Sequence, residues 1–137
     1  MKRSFLTLVL GMSLGAGIAL AHHSFAAEYD ASKPVTLKGT VNSVDFVNPH
    51  SWVHVDVTDT DGKVTTWLCE TAPPNILIRQ GWTKNSLKKG DPVTVVGFRA
   101  KDGSSTMTAD SVTMADGRKM FTGSAGSGAP TQAPDSK

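Results

Sequence analysis

Val35-Thr36-Leu37-Lys38-Gly39-Thr40-Val41-Asn42-Ser43-Val44-Asp45-Phe46 is the stretch on which the fold turns. Val35, Leu37 and Val41 share one parity, so in an extended chain they point to one face. Val44 and Phe46 fall on the other parity, and Gly39 interrupts the first set. A glycine inside a strand pattern, followed by a change of parity, predicts a bulge or a strong bend. A long, bent first strand is what a small barrel requires, because such a strand takes part in two sheets.

On the C-terminal side, Val47-Asn48-Pro49-His50 reads as a turn. Residues 51–58 then alternate cleanly, with Val53, Val55 and Val57 on one face and Trp52, His54, Asp56 and Thr58 on the other. Asp59-Thr60-Asp61-Gly62 is a hairpin loop, and residues 63–70 form the return strand, where Thr65, Trp67 and Cys69 oppose Val64, Thr66 and Leu68. Pro73-Pro74 ends it. A short helix is expected over residues 76–80, with Asn75 as its N-cap and Gly81 as its C-cap. Trp82 is placed to cover one end of the core. Residues 92–98 and 106–114 read as two further strands joined by a turn at Lys101-Asp102-Gly103, and residues 119–121 as a short ending. Three strands, a helix and two strands, with a bent first strand, is the order of the five-stranded OB-like Greek-key barrel. The expected fold class is therefore all-β with one short helix, and a small open β-sandwich is the alternative.

On the N-terminal side, Asp30-Ala31-Ser32-Lys33-Pro34 reads as a turn, so residues 22–34 are expected to be an arm rather than part of the barrel. Upstream of it, Met1-Lys2-Arg3 is a positive start, residues 4–20 carry no charge, and Ala19-Leu20-Ala21 matches a small-x-small cut site. This is the layout of a secretory signal peptide over residues 1–21. The apolar run is short and glycine-rich beside the roughly 20 strongly apolar residues of a stable span, so no membrane span is expected after cleavage. A cut after Ala26 is the alternative. Export to the periplasm or beyond is the expectation. Residues 122–137 are Gly, Ser, Ala, Pro and Thr with almost no apolar bulk, the composition of a disordered tail.

Cleavage alters the charge balance. The 137-residue chain has 14 basic and 12 acidic residues, but Lys2 and Arg3 leave with the signal, which equalises the two signs. A neutral domain without a basic cluster is a poor partner for nucleic acid or an anionic surface. Cys69 is the only cysteine, so no intramolecular disulfide supports the fold and its apolar core must suffice. Burial is the plain reading of that thiol. A nucleophilic arrangement of Cys69 with Glu70 has no support in the spacing, and no catalytic residue is expected. Asp59, Asp61 and Gly62 lack the acidic residue that would close a calcium loop.

The chemistry sits at the cut. Cleavage after Ala21 makes His22 the first residue, with an α-amine of pKa about 7.7–8.0. That amine and the His22 ring would chelate one ion, an arrangement that favours copper and needs a further imidazole from the fold. The remaining histidines are His23, His50 and His54. His50 and His54 share parity but stand roughly 13 Å apart along a strand, so one of them is expected to serve, and His50 at the loop end is preferred. The candidate metal set is therefore His22 and His50, with His23 or His54 assisting. A second reading makes Trp52 and Trp67, on neighbouring strands, a stacking platform for carbohydrate or a protein partner. A third makes the chain a copper-dependent redox enzyme. Against these stands a plain alternative, a solvated His-His arm and structural aromatics.

His22-His23-Ser24-Phe25 followed by Tyr29-Asp30, Gly39-Thr40-Val41, Asn48-Pro49-His50-Ser51, Trp67 with Glu70, and Gly90-Asp91-Pro92-Val93 with Gly97 resemble a family of small exported bacterial proteins designated DUF6152. The resemblance runs over residues 22–121. It implies a compact exported domain without an established activity, and it assigns no residue a catalytic role.

Overall fold

The computed structural model describes residues 25–123. The proposed signal peptide, His22 and His23, and residues 124–137 lie outside the described residues. Among the described residues the chain is mostly β: α1 (Phe25–Glu28), β1 (Tyr29–Asp45), β2 (Trp52–Thr58), β3 (Val64–Glu70), α2 (Pro74–Arg79), β4 (Pro92–Ala100), β5 (Thr106–Met114) and β6 (Lys119–Phe121).

All six strands belong to one sheet, in the order β3-β2-β1-β4-β5-β6. It is not the pair of stacked sheets that a sandwich would need. β1 carries the sheet round by pairing antiparallel with β2 through its second half and with β4 through its first. A short parallel pairing, Leu68–Thr106, Cys69–Met107 and Glu70–Thr108, joins β3 to β5 and closes a ring of five strands. The bend expected in β1 is present. The β1–β2 register slips between Val41 and Ser43, beside the parity change in the sequence. Gly39 has a separate role, because a Cβ there would sit 2.3 Å from the Asp56 carbonyl oxygen. The bare backbone lets β2 cross β1 closely at the bend.

Three boundaries differ from the sequence expectation. β1 starts at Tyr29 rather than at residue 35, with Tyr29 opposite Ala100 and the register slipping before Pro34 opposite Phe98. The intervening turn signal is real but local: Asp30 Oδ1 accepts from the Ser32 backbone N–H at 2.9 Å and from its hydroxyl at 2.6 Å, within the strand. α2 begins at Pro74, whose fixed φ suits the first helical position, so Asn75 is not its N-cap. Thr122 belongs to the domain and not to the tail. It is fully buried, its N–H donates to the Asp110 carbonyl at 3.0 Å, and its carbonyl accepts from Ala72 N–H at 2.9 Å.

The interior is built from the inward parity of the ring: Val41, Val53, Val55, Cys69, Val95, Met107, Ala109 and Val112. Leu77 of α2, Trp82 and Leu87 join this cluster, and the Trp82 indole N–H donates to the Phe121 carbonyl at 2.7 Å. Each fully buried aliphatic side chain contributes about 1.5–3 kcal/mol, which is how a small domain without a disulfide holds together. Cys69 lies within this core at 0% exposure, and burial pushes its thiol from 9.0 up to about 12. At neutral pH that shift leaves about a thousandfold fewer thiolates. Labelling of native Cys69 by a thiol reagent is expected to be slower than in denaturant by at least that factor. Equal rates would contradict the burial.

Candidate functional site

The chemistry-bearing residues gather at an open cleft of about 510 Å³. Its walls are Ala27 and Glu28 of α1, Tyr29, His50 and Trp52, Glu70, and the β4–β5 turn around Lys101 and Asp102. The register brings Glu70 here, because it lies directly across from Trp52 and their side chains emerge on one side of the sheet.

The turn before β2 is anchored from the far end of β3. Ser51 is buried, its carbonyl accepts from the Thr71 backbone N–H at 2.8 Å and from the Thr71 hydroxyl at 3.0 Å, and its own N–H donates to the Ala72 carbonyl at 3.3 Å. This fixes His50 one residue upstream. His50 Nδ1 contacts Glu70 Oε1, and the Tyr29 hydroxyl donates to Glu70 Oε2. The Glu70 side chain is only 10% exposed, against 38% for His50. Glu70 is thus a nearly buried carboxylate with a donor on each oxygen, the condition under which burial of such a group is tolerable. Tyr29 is pushed well above its ordinary pKa, first by burial, then by donation to Glu70 and by the negative charge of Glu70.

α1 closes the cleft on the N-terminal side. The Phe25 ring packs edge-on against Phe98 at 5.6 Å and in a tilted contact against Tyr29 at 6.0 Å. Lys101 ties the β4–β5 turn to the same helix, its backbone N–H donating to the Glu28 carbonyl at 2.8 Å and its ammonium to the Ala26 carbonyl.

His54 lies elsewhere, on the β2 face toward β1, where Nε2 meets Asp45 Oδ2 at 2.9 Å in a half-exposed pair. His50 and His54 therefore reach different carboxylates and do not converge, as their separation along the strand suggested. Among the described residues no group of three or more His, Cys, Asp and Glu side chains stands ready to hold a metal. His22 and His23 lie outside the described residues.

The tryptophan platform does not form. Trp67 lies opposite Val55 and Trp52 opposite Glu70, so the two indoles emerge on opposite faces of the sheet. Trp67 packs against the core and carries the Arg99 guanidinium 5.4 Å above its ring, while Trp52 lines the cleft. Cys69 points inward and its neighbour Glu70 outward, so these two cannot act as a nucleophile and base. Asp59 Oδ1 is taken by the backbone N–H groups of Asp61 and Lys63 at 3.0 and 2.9 Å, which makes its loop an ordinary hairpin turn. No described helix is long and apolar enough to cross a membrane.

Sequence reasoning did not single out Glu70 or Tyr29 as site residues. The available signal was a carboxylate ending β3 on the parity of Val64 and Leu68, immediately before Thr71.

Fold and site together define a small, mostly β domain with a buried carboxylate backing an accessible histidine at a cleft. The model of a family of unknown function, DUF6152, matches residues 11–109, and the chain belongs to that family. No curated protein and no solved structure matches it.

Proposed function

We propose that this chain is an exported binding module, an OB-like barrel that takes up copper at the cleft. His22, freed by signal cleavage, supplies its α-amine and its ring, and His50 supplies the third nitrogen. The observation that carries this reading is that Ala27, Glu28 and Tyr29 line the same cleft as His50. The chain leading back to His22 thus departs from beside His50. The three residues 22–24 that precede α1 reach roughly 10 Å when extended, which keeps the terminus close to the helix that lines the cleft. The packing of Phe25 on Phe98 and Tyr29 supports a cut upstream of residue 25, because a cut after Ala26 would discard that aromatic contact. The donors are nitrogens, which suit Cu(II). The soft donors Cys69 and Met107 are both fully buried in the core. His54 is set aside because it pairs with Asp45 and does not line the cleft, and His23 assists as the neighbouring imidazole.

The test is Cu(II) titration of the processed protein, with its N-terminus established by mass spectrometry. His22→Ala and His50→Ala are each expected to weaken binding by at least about tenfold, the loss of roughly 1.4 kcal/mol. Acetylation of the His22 α-amine should do the same by removing that donor. A mature start at Ala27, or affinity unchanged in both variants, would reject the reading.

A further inference from the structure

We infer that Glu70 is a positioning residue that holds His50 as an Nε2 ligand, and that Tyr29 in turn holds Glu70. This rests on the copper reading above and assigns the cleft its supporting groups. His50 sits on a turn with its side chain 38% exposed, and an imidazole so placed can present either nitrogen by rotating about its outer torsion. Glu70 removes that freedom. A neutral ring that donates its Nδ1 hydrogen to Glu70 Oε1 carries its lone pair on Nε2, the nitrogen on the opposite side of the ring.

The carboxylate is itself held. Its second oxygen accepts from Tyr29, which is 6% exposed, opens β1 opposite Ala100, and packs against Phe25. Three segments distant in sequence thereby meet in one chain of donors, from the start of β1, through the end of β3, to the turn before β2. A nearly buried carboxylate is costly to keep where a neutral side chain would pack, and its two oxygens match the two donors present. Ligating histidines are commonly held by such a carboxylate, and its loss commonly weakens metal binding by 10- to 100-fold, as an order-of-magnitude guide.

The experiment measures Cu(II) affinity of the processed protein by competition with a chromophoric chelator. It compares Glu70→Ala, Glu70→Gln and Tyr29→Phe, with the Glu70 variants also made in a His50→Ala background. Thermal midpoints without metal are recorded in parallel. Glu70→Ala is expected to weaken binding by about 10- to 100-fold and to change the Cu(II) paramagnetic resonance spectrum. Glu70→Gln retains an acceptor for Nδ1–H and is expected to recover part of the loss. It also serves if the alanine variant fails to fold. Tyr29→Phe is expected to weaken binding less than Glu70→Ala. In the His50→Ala background the Glu70 substitutions should have no further effect on affinity.

A lowered thermal midpoint with unchanged affinity and spectrum in Glu70→Ala and Glu70→Gln would make the pair purely structural and overturn the inference while leaving the copper reading intact. An equal loss in both backgrounds would overturn it too, making Glu70 a ligand in its own right. Unchanged affinity in His50→Ala alone would remove the copper reading and this inference with it.

Discussion

Gly97→Ala is expected to cost about 3 kcal/mol or more, a large share of the stability of a domain this size. A Cβ at residue 97 would lie 1.9 Å from the Thr108 carbonyl oxygen, 2.7 Å from Met107 Cε and 2.9 Å from Ala109 Cα. Two of these three are backbone atoms, which cannot rotate aside. The β4–β5 register slips at this point, with Val96 opposite Ser111 and Gly97 opposite Ala109. Accommodating a methyl group means prising apart two neighbouring strands of the ring, and Met107 beside them is fully buried. Gly103→Ala is the control. It stands in the turn at φ +77° with nothing within 4 Å, so it carries only the backbone strain of a left-handed residue, about 1 kcal/mol. Urea denaturation of both variants decides the matter. A Gly97→Ala protein within about 1 kcal/mol of wild type would mean that the strands do not approach as described.

The second large effect concerns Tyr29, the sole tyrosine of the chain. In the folded protein its pKa is raised above the ordinary value, so its neutral form is favoured by the fold. The linkage follows from that direction. Stability from this group is fully present below the unfolded pKa of about 10. It falls as pH rises above that value, by about 1.4 kcal/mol per unit while the folded hydroxyl keeps its proton. Because no other tyrosine exists, tyrosinate absorbance reads this residue alone. Native protein is expected to show no tyrosinate until the domain unfolds in alkali, whereas the denatured chain should titrate near its ordinary value. Ionisation of a still-folded domain at that ordinary value would show that Tyr29 does not donate to a buried Glu70.

Most of the strands were legible in the sequence because they are short and alternate, and because residues with left-handed turns, such as Gly62 and Gly103, stand between them. The bend in β1 was legible because a bulge leaves a local trace, the parity change between Val41 and Val44. Inter-strand facing was not legible. The parity of Trp52 and that of Trp67 were each readable, but which parity of β3 faces inward depends on the hairpin register, and that register placed the two indoles on opposite faces. Asp30 to Pro34 misled for a related reason: an Asx bond to Ser32 gives a strand segment the local chemistry of a turn. At the site, His50 was legible as a histidine at a loop end. Its partnership with Glu70 and Tyr29 was not, because Tyr29 and Glu70 are 41 residues apart and meet only once the ring has closed.

That closure has a practical corollary for Cys69. The ring is completed by three residue pairs between β3 and β5, and the middle one is Cys69 with Met107. The protein's single sulfhydryl therefore sits on the shortest join in the ring, shielded while that join is shut. Any fluctuation that parts β3 from β5 presents the thiol to solvent, so the rate at which reagent captures it, divided by the rate for the free thiol, is the fraction of time the join stands open. One cysteine thus serves as a built-in gauge of ring closure, readable without introducing a label. In an oxidising compartment the same event would expose the protein to covalent pairing with a second copy.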